Sequence, residues 1–328
     1  MKSLDVNEAF RILKPLLITR NRQKPFVLCA MFHQTYACER WGSAGMSKKM
    51  NSQAVGLDIG LSFIKWLTGA ENLHYGFWTD LEVTAGNLGQ AQSVYTEKLF
   101  SYLPSGSLRI LDVGGGAGET ARKLIALGHK VDVVVPSPFL AERCRANAPQ
   151  ATVHLCKFED FETDQEFDLC LFSESFQYIP YKTAIERAQK YVKPNGNILI
   201  ADCFRITSAD KTDKTRRVGG GHSITEFQSY LQASEITVTS SEDITTAVAP
   251  SIDLEQELFN VFGHAIKRVD GELQTGKPTL RWFLARLLRM ILNEKRRYRL
   301  GQRLFEKERT SQAFITHNQY MIFSLQLG

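Results

Sequence analysis

A glycine-rich turn between a predicted strand and a predicted helix is the feature that most constrains the fold. Residues 108–120 read Leu-Arg-Ile-Leu-Asp-Val-Gly-Gly-Gly-Ala-Gly-Glu-Thr, so a buried-strand pattern runs into glycines and then into the helical pattern of 119–127. Gly114, Gly116 and Gly118 can adopt positive φ and let the backbone approach a ligand, and the N–H groups at a helix start lack partners within the helix. The stretch therefore predicts a nucleotide-cofactor turn, with a plain strand-to-helix connection as the alternative.

The spacing of these glycines disfavours a dinucleotide. The pattern G-x-G-x-x-G, counted from Gly114, places Glu119 where the third small residue is required. With Asp112 just before the glycines, the turn resembles motif I of class I S-adenosylmethionine (SAM) methyltransferases. The resemblance implies SAM as the cofactor, with its methionine end bordered by the Asp and the turn. These residues are Asp112, Gly114, Gly115, Gly116 and Gly118.

Strands and helices alternate along the middle of the chain, which predicts an α/β doubly wound sheet. Helical spacing of apolar residues precedes the sheet over 52–72 and 88–102. The predicted strands are 108–113, 130–135, 151–155, 167–172, 196–202 and 235–240. The predicted helices between them are 119–127, 138–147, 181–192 and 223–231. The apolar segment 320–325 predicts a closing strand, and the resemblance implies that it lies antiparallel beside the sixth, completing a seven-stranded Rossmann-like sheet.

The chain divides into one core and two accessory parts. We predict a poorly ordered extension over 1–45, a SAM-binding core with N-terminal helices over 46–244, a basic helical insertion or substrate lid over 245–313, and the closing strand over 314–328. The six cysteines show no metal-ligand spacing and predict free thiols in a reducing cytoplasm, with no metal site.

A segment upstream of the turn supports the resemblance. His74-Tyr75-Gly76-Phe77-Trp78 and the later Ala91-Gln92 pair resemble elements of cyclopropane-fatty-acid-synthase-like and small-molecule methyltransferases. The resemblance implies that Tyr75, Trp78 and Gln92 cover the methionine part of SAM. Tyr75 can donate to the cofactor carboxylate and the Gln92 amide suits the same group. The alternative is that Phe77 and Trp78 are core aromatics.

The end of the second strand departs from the family pattern. Relatives place an acidic residue there to accept both ribose hydroxyls, but Val135 occupies that position, and Asp132 is three residues too early. Either another group holds the ribose or cofactor affinity is reduced, and an Asp at position 135 would then strengthen binding. Pro136 and Ser137, which follow, are predicted to border the cofactor.

Two further segments complete the predicted cofactor site. Phe158, Glu159 and Asp160 follow the third strand, where relatives contact the adenine, with a surface acidic turn as the alternative. Ser173 and Glu174 end the fourth strand, where an α/β sheet opens onto its ligands.

Features around the fourth strand bear on the substrate. Tyr178 follows it and is predicted to contact the acceptor. DNA and RNA adenine-N6 methyltransferases carry an Asn/Asp-Pro-Pro-aromatic tetrad at this position, and it is absent here. The catalytic Pro-Cys pair of cytosine-C5 methyltransferases is also absent, because no cysteine follows a proline. Both absences disfavour methylation of nucleic-acid bases. For a proton acceptor the candidates are Glu174 and His222. His222 has an alternative as a hydrogen-bond partner for the helix predicted to begin at Ser223.

Residues 277–309 carry most of the positive charge of the chain. They hold eleven Lys or Arg against three Glu, a local charge of +8 that exceeds the net +5 of all 328 residues. On a helical wheel an apolar arc opposes Arg286, Arg289 and Asn293. The arc consists of Phe283, Leu284, Leu287, Leu288, Met290 and Ile291.

A basic amphipathic helix of this kind can lie on an anionic membrane, cover a lipid-like substrate, or pack as a lid on the core. Trp282 and Phe283 are predicted to line the acceptor pocket. Nucleic-acid binding is disfavoured because no recognised module surrounds the basic run.

These observations predict a cytoplasmic SAM-dependent methyltransferase acting on a small, apolar or lipid-like acceptor, with peripheral membrane contact through 277–309 left open. Two alternatives stay open. One is an N- or O-methyltransferase of a polar metabolite, and the other is a degenerate cofactor fold that acts as a binding or regulatory protein.

Overall fold

The computed structural model describes residues 52–206, 218–292, 294–305 and 309–328. The predicted extension 1–45 lies outside them. The sheet has seven strands in the order β3-β2-β1-β4-β5-β7-β6. Its strands are β1 Arg109–Val113, β2 Lys130–Val134, β3 Thr152–His154, β4 Phe167–Ser173, β5 Val192–Arg205, β6 Thr237–Asp243 and β7 Asn318–Gln326. β7 is antiparallel to β5 and β6, and the other pairs are parallel. The predicted doubly wound sheet and its closing antiparallel strand are confirmed.

Eleven helices surround this sheet within the described residues. The N-terminal and core helices are α1 Ser52–Thr68, α2 Leu88–Phe100, α3 Glu119–Ala126, α4 Pro138–Asn147, α5 Tyr181–Tyr191 and α6 Ile224–Gln232. Between β6 and β7 lie α7 Thr245–Val248, α8 Pro250–Gly276, α9 Pro278–Ile291, α10 Glu294–Phe305 and α11 Ser311–His317. No helix in the described residues is long and apolar enough to span a membrane.

Apolar side chains cover both faces of the sheet. Leu111 and Val113 of β1 face a core that is rich in phenylalanine, whereas Ile110 faces a second core lined by Tyr95 and Leu99 of α2. Alternate residues of a strand point to opposite faces, so a strand buried on both sides must be apolar nearly throughout. Asp112 is the exception among the buried residues of β1, and its burial marks the carboxyl end of the sheet as the place to look for function.

The helices α8 to α10 form a cap that is attached to the core at one end. Phe259 of α8 and Leu304 of α10 are buried together, with Phe63 of α1 packed against them. A Cβ at Gly263 would lie 2.0 Å from the carbonyl oxygen of Leu304, so α8 and α10 touch backbone to backbone at this glycine. The end of the cap that contains Phe259, Gly263 and Leu304, here called the cap base, therefore packs against the N-terminal helix α1.

The cap differs from the single helix predicted over 277–309. The chain leaves the helical conformation at Leu292, where φ is −106° and ψ is 124°, which separates α9 from α10. The guanidinium of Arg297 donates to the carbonyl oxygen of Leu292 at 3.0 Å and satisfies an acceptor that the break leaves open. The apolar arc is also divided, because Phe283, Leu288 and Met290 are exposed.

Candidate functional site

One glycine of the turn after β1 borders open space. Gly116 has φ +56°, and a Cβ built on it would meet only Leu73 Cδ1 at 3.6 Å. In contrast, a Cβ at Gly114 would lie 2.4 Å from the Cβ of Ser175, and one at Gly118 would lie 2.8 Å from the Sγ of Cys144. Gly114 and Gly118 thus allow close packing within the protein, whereas Gly116 leaves room for a ligand.

Asp112 supplies an acceptor directly beneath the turn. It is 1% exposed, and its Oδ2 has no hydrogen-bond partner among the described residues. A Cβ at Gly115 would lie 2.4 Å from this oxygen, so only glycine fits between Asp112 and the turn surface. Burial raises the pKa of Asp112 to about 7. A buried acceptor without a donor is costly, and a ligand that brings a cation or N–H group would satisfy it.

The segment upstream of the turn reaches the site through its backbone. Tyr75 N donates to Glu174 Oε1 at 2.8 Å, and Gln92 Nε2 donates to the carbonyl oxygen of His74 at 2.9 Å. Gln92 Oε1 is buried without a partner in the described part of the chain. Trp78 is 4% exposed and donates from Nε1 to Ser251 Oγ of α8 at 2.8 Å. Tyr75 therefore lies beside Glu174, Gln92 fixes the backbone of His74, and Trp78 joins this segment to the cap.

A buried carboxylate fixes the start of the same segment. Glu71 accepts from Lys65 Nζ at 3.1 Å, Arg143 Nε at 2.9 Å and Asn147 Nδ2 at 2.7 Å. These contacts hold the pKa of Glu71 at about 2 although burial opposes this. Sequence reasoning missed Glu71, because its partners lie on α1 and α4 and no local motif relates them.

Glu174 occupies the carboxyl end of β4 in a conformation that is unusual for a residue other than glycine. Its φ is +56°, and its Oε1 accepts from Tyr75 N at 2.8 Å and from Tyr320 Oη at 3.0 Å. Burial raises the pKa of Glu174 to about 8, and the nearby Asp202 carboxyl acts in the same direction. Backbone strain of this kind is concentrated at functional sites. Glu174 therefore stands out as a titratable group at the sheet opening.

Side chains of α2, β4 and β7 supply a hydroxyl network around Glu174. Tyr320 Oη lies 2.7 Å from Tyr95 Oη, and Ser173 Oγ lies 3.4 Å from Tyr95 Oη. Tyr95 and Tyr320 are site residues that sequence reasoning missed. For Tyr320 the only signal was strand register, because the pairing of Tyr320 with Cys203 places the tyrosine beside the carboxyl end of β5.

His222 has its Nε2 committed to the backbone. This nitrogen lies 3.1 Å from the carbonyl oxygen of Phe176 and 2.8 Å from that of Ile179, so it carries the proton and donates. Burial lowers the pKa of His222. The ring joins the loop before α6 to the segment after β4. Only Nδ1 remains as the nitrogen that could accept a proton.

Val135 lies in an apolar environment where relatives place the ribose acid. It is 1% exposed and packs with Leu61 of α1 and Leu140 of α4. Asp132 points elsewhere, as expected from strand geometry, and contacts Arg109 at 3.3 Å and His154 at 3.0 Å. The buried acceptors of Asp112 and Gln92 therefore fit the methionine part of SAM, whereas position 135 itself offers no carboxylate to a ribose.

This packing changes the expectation for an Asp at position 135. We expect Val135→Asp to lower the free energy of unfolding by at least about 2 kcal/mol, because the carboxylate would enter the cluster of Leu61, Ala117 and Leu140 without a partner. Urea unfolding measures the change. Val135→Ile is the control, since it keeps the position apolar. Unchanged stability together with tighter SAM binding would show that position 135 faces the ribose instead.

The remaining predicted cofactor residues line the same edge. Pro136 is exposed, and Ser137 Oγ accepts from Leu140 N at 3.4 Å as the N-cap of α4. Phe158 is buried in the core, whereas Glu159 is partly exposed and Asp160 is exposed on the turn after β3. Contact of this turn with the adenine stays a prediction, and the exposure of the acidic pair is also typical of a surface turn.

The three predicted acceptor residues separate in the structure. Tyr178 is 38% exposed in the turn after β4, close to the opening. Trp282 and Phe283 lie on α9, which packs against α8, and they are 64% and 51% exposed. The structure does not bring these two aromatics together with the other site residues.

Comparison with known proteins agrees with this geometry. Residues 110–196 match a family model described as a methyltransferase domain. An uncharacterized methyltransferase of Mycobacterium tuberculosis is 28% identical over 97 residues, which cover 29% of this chain and 40% of that protein. A ubiquinone biosynthesis O-methyltransferase of Xanthomonas oryzae pv. oryzae is 26% identical over 139 residues, covering 40% of this chain and 58% of that protein. The chain thus spans about half the length of these curated relatives.

Solved structures share the fold at low sequence identity. A cyclopropane synthase from Mycobacterium tuberculosis superimposes with a TM-score of 0.59 at 16% identity, covering 82% of this chain and 95% of that one. A geranyl diphosphate C-methyltransferase from Streptomyces coelicolor gives 0.55 at 14% identity, covering 81% and 92%. A [4+2]-cyclase gives 0.58 at 15% identity, covering 81% and 92%.

The sheet order is that of a Rossmann-like fold, and the glycine turn and the carboxylates at the strand ends form its candidate cofactor site. The match over 110–196 makes the assignment specific. Residues 110–196 therefore match a methyltransferase domain, and the fold around them is the one that SAM-dependent methyltransferases share, in agreement with the resemblance found at the glycine turn.

Proposed function

We propose that the protein is a SAM-dependent methyltransferase that acts on a small, apolar or lipid-like acceptor. The observation that carries the proposal is the turn after β1, where Gly116 borders open space and the buried Asp112 Oδ2 lacks a donor. These two features fit a ligand that is bulky above the turn and carries donors beside it. A plain strand-to-helix connection requires neither of them.

Different residues would hold different parts of the cofactor. Asp112 and Gln92 each leave a buried acceptor oxygen for donor groups at the methionine end, and the turn from Gly114 to Gly118 provides the surface against which it lies. Ser173, Glu174 and the residues after β2 and β3 extend the site along the strand ends. When bound, SAM supplies an electrophilic methyl group on its sulfonium. The chain supplies position, which is a large contribution to such a transfer.

Glu174 is the group best placed to take a proton from an acceptor. It is partly exposed at the carboxyl end of β4, while its Oε1 is held by Tyr75 N and Tyr320 Oη. A carboxyl group with a pKa of about 8 is a stronger base, once ionised, than an ordinary surface carboxylate. His222 is less suited, because its Nε2 donates to two carbonyl oxygens.

Aromatic rings near the opening favour an apolar acceptor. Tyr75 packs edge-on against Phe314 and Tyr320, with centroids 6.1 and 6.0 Å apart. Phe63, Phe259 and Leu304 form a separate apolar cluster where the cap meets α1. A site bounded by rings and aliphatic side chains binds apolar groups at low desolvation cost. A polar metabolite as acceptor is the competing proposal within the same enzyme class.

Val135 favours a second candidate, in which the fold binds a partner or ligand without transferring a methyl group. A calorimetric titration with SAM and S-adenosylhomocysteine separates the two. We expect both to bind, and mass-spectrometric screening of quinols, fatty acyl chains and polar amines should then show a methylated apolar product. Absence of cofactor binding by the folded protein would favour the second candidate, and methylation of polar amines alone would overturn the acceptor class.

A further inference from the structure

The outward side of α9 combines exposed aromatic, apolar and basic residues. Trp282, Phe283 and Met290 are 64%, 51% and 76% exposed. At 100° per residue, these side chains and those of Arg286 and Arg289 fall within an arc of about 120°. We call Trp282, Phe283, Arg286, Arg289 and Met290 the α9 outer face.

This face is not the side by which α9 packs. Leu280, Leu284 and Leu287 lie on the opposite arc and are half-buried, and α8 is the element that α9 contacts. The helix therefore uses its aliphatic residues for packing and presents its largest aromatic residue to solvent. Monomeric proteins rarely expose a contiguous patch of this kind without a binding role.

The charges of the α9 outer face lack acidic partners in the described structure. The Arg286 guanidinium lies over the Trp282 ring, 5.5 Å from its centroid. No described carboxylate pairs with Arg286 or Arg289. By contrast, Arg281 of α9 pairs with Asp270 of α8 at 2.8 Å, and Arg309, which follows α10, pairs with Glu255 of α8 at 3.2 Å. Two arginines without a described acidic partner therefore lie beside the exposed aromatic residues.

Charge decides which occupant suits this face. A second copy of the chain docked symmetrically would bring the same arginines against each other, which is unfavourable. Residues 1–50 carry nine Lys or Arg against three Asp or Glu, so this segment also has the wrong sign. An anionic bilayer surface provides negative headgroups for the arginines and an interfacial region that Trp and Phe favour.

We propose that the α9 outer face docks the protein on an anionic membrane surface. Trp282, Phe283 and Met290 enter the interface between headgroups and acyl chains, and Arg286 and Arg289 contact lipid phosphates. The use of this docking, to bring a lipid-like acceptor to the site, rests on the proposed function. The docking itself depends only on the face.

The test is cosedimentation with vesicles of phosphatidylcholine containing phosphatidylserine, compared with phosphatidylcholine alone. We expect the full chain to bind the anionic vesicles and to be released by salt. Each basic residue near such a surface contributes about a fivefold gain in partitioning, so Arg286→Gln with Arg289→Gln should weaken binding about 25-fold. Trp282→Ala with Met290→Ala should also weaken binding to the anionic vesicles, although it leaves the charge of the face unchanged.

A matched control removes the same charge elsewhere. Lys130 and Lys182 are exposed outside the cap, so Lys130→Gln with Lys182→Gln should leave vesicle binding nearly unchanged. Equal losses in both double variants, or no wild-type binding, would overturn the proposal. The proposal would also be overturned if sedimentation velocity showed the wild type to be a dimer and Trp282→Ala with Met290→Ala converted it to a monomer. The same variants are also titrated with SAM, so that the two proposals are tested separately. A variant that no longer docks but still binds SAM leaves the proposed function unaffected.

Discussion

Replacing Gly116 by Val is expected to abolish measurable SAM binding while the protein stays folded. The new side chain would fill the space above the turn, where the nearest other atom to a Cβ is Leu73 Cδ1 at 3.6 Å. We expect the dissociation constant to rise at least about 100-fold, which corresponds to about 2.7 kcal/mol. Isothermal titration calorimetry measures it, and circular dichroism checks the fold.

Gly128 provides a matched control for the backbone cost of this change. Its φ is +89° and nothing lies within 4 Å of a Cβ there, so Gly128→Val carries a similar conformational penalty of about 1–3 kcal/mol away from the site. We expect both variants to lose stability and only the Gly116 variant to lose binding. Equal SAM affinity in the two would remove the turn as the cofactor surface.

Replacing Glu174 by Gln is expected to have the largest effect on turnover. The amide oxygen can still accept from Tyr75 N and Tyr320 Oη, so the shape is kept and only the ionisable group is lost. We expect the rate at saturating SAM to fall by about 10²–10⁴, the usual range for a proton acceptor. The wild-type rate should rise with pH through about 8, and the variant should lose this rise. A weaker SAM affinity with an unchanged saturated rate would assign Glu174 to cofactor binding instead.

Stability provides a readout of the same group that needs no acceptor. The pKa of Glu174 is raised from 4.5 to about 8, so the folded state holds a proton that the unfolded state releases in this window. The free energy of unfolding must therefore fall as pH rises from 4.5 to 8, and Glu174→Gln should reduce that slope. Tyr320→Phe removes a donor to the carboxylate and should move the upper end of the window to higher pH. Urea unfolding across this range tests both variants.

Most of the fold could be predicted because its signals are local. The strands around Asp112 and Leu171 are continuous apolar runs that end in turn residues, and this pattern has few alternatives. The break at Leu292 could not be predicted, because helical periodicity continues through it and neither Gly nor Pro marks it. The early start of β5 at Val192 was also missed, because Pro194-Asn195-Gly196 indicates a turn.

The site residues likewise divide into those with a local sequence signal and those without one. Gly116 and Asp112 belong to one short motif, so the sequence identifies them together. Tyr95 and Tyr320 are 225 residues apart, and only the pairing of β5 with β7 brings Tyr320 to Glu174. Trp282 and Phe283 attracted a substrate prediction because aromatic residues commonly line pockets. Sequence alone does not show which side of a helix packs when both sides carry apolar residues.

A single hydroxyl links the cap to the cover of the cofactor site. Ser251 Oγ, in the first turn of α8, accepts from Gly76 N at 3.0 Å and from Trp78 Nε1 at 2.8 Å. Any tilt of α8 away from the core must break both bonds and loosen the segment that carries Tyr75. We therefore expect exchange of the spent cofactor and entry of an acceptor to depend on the same motion. We expect an obligatory order of binding and release in product-inhibition kinetics, and Ser251→Ala should make that order random.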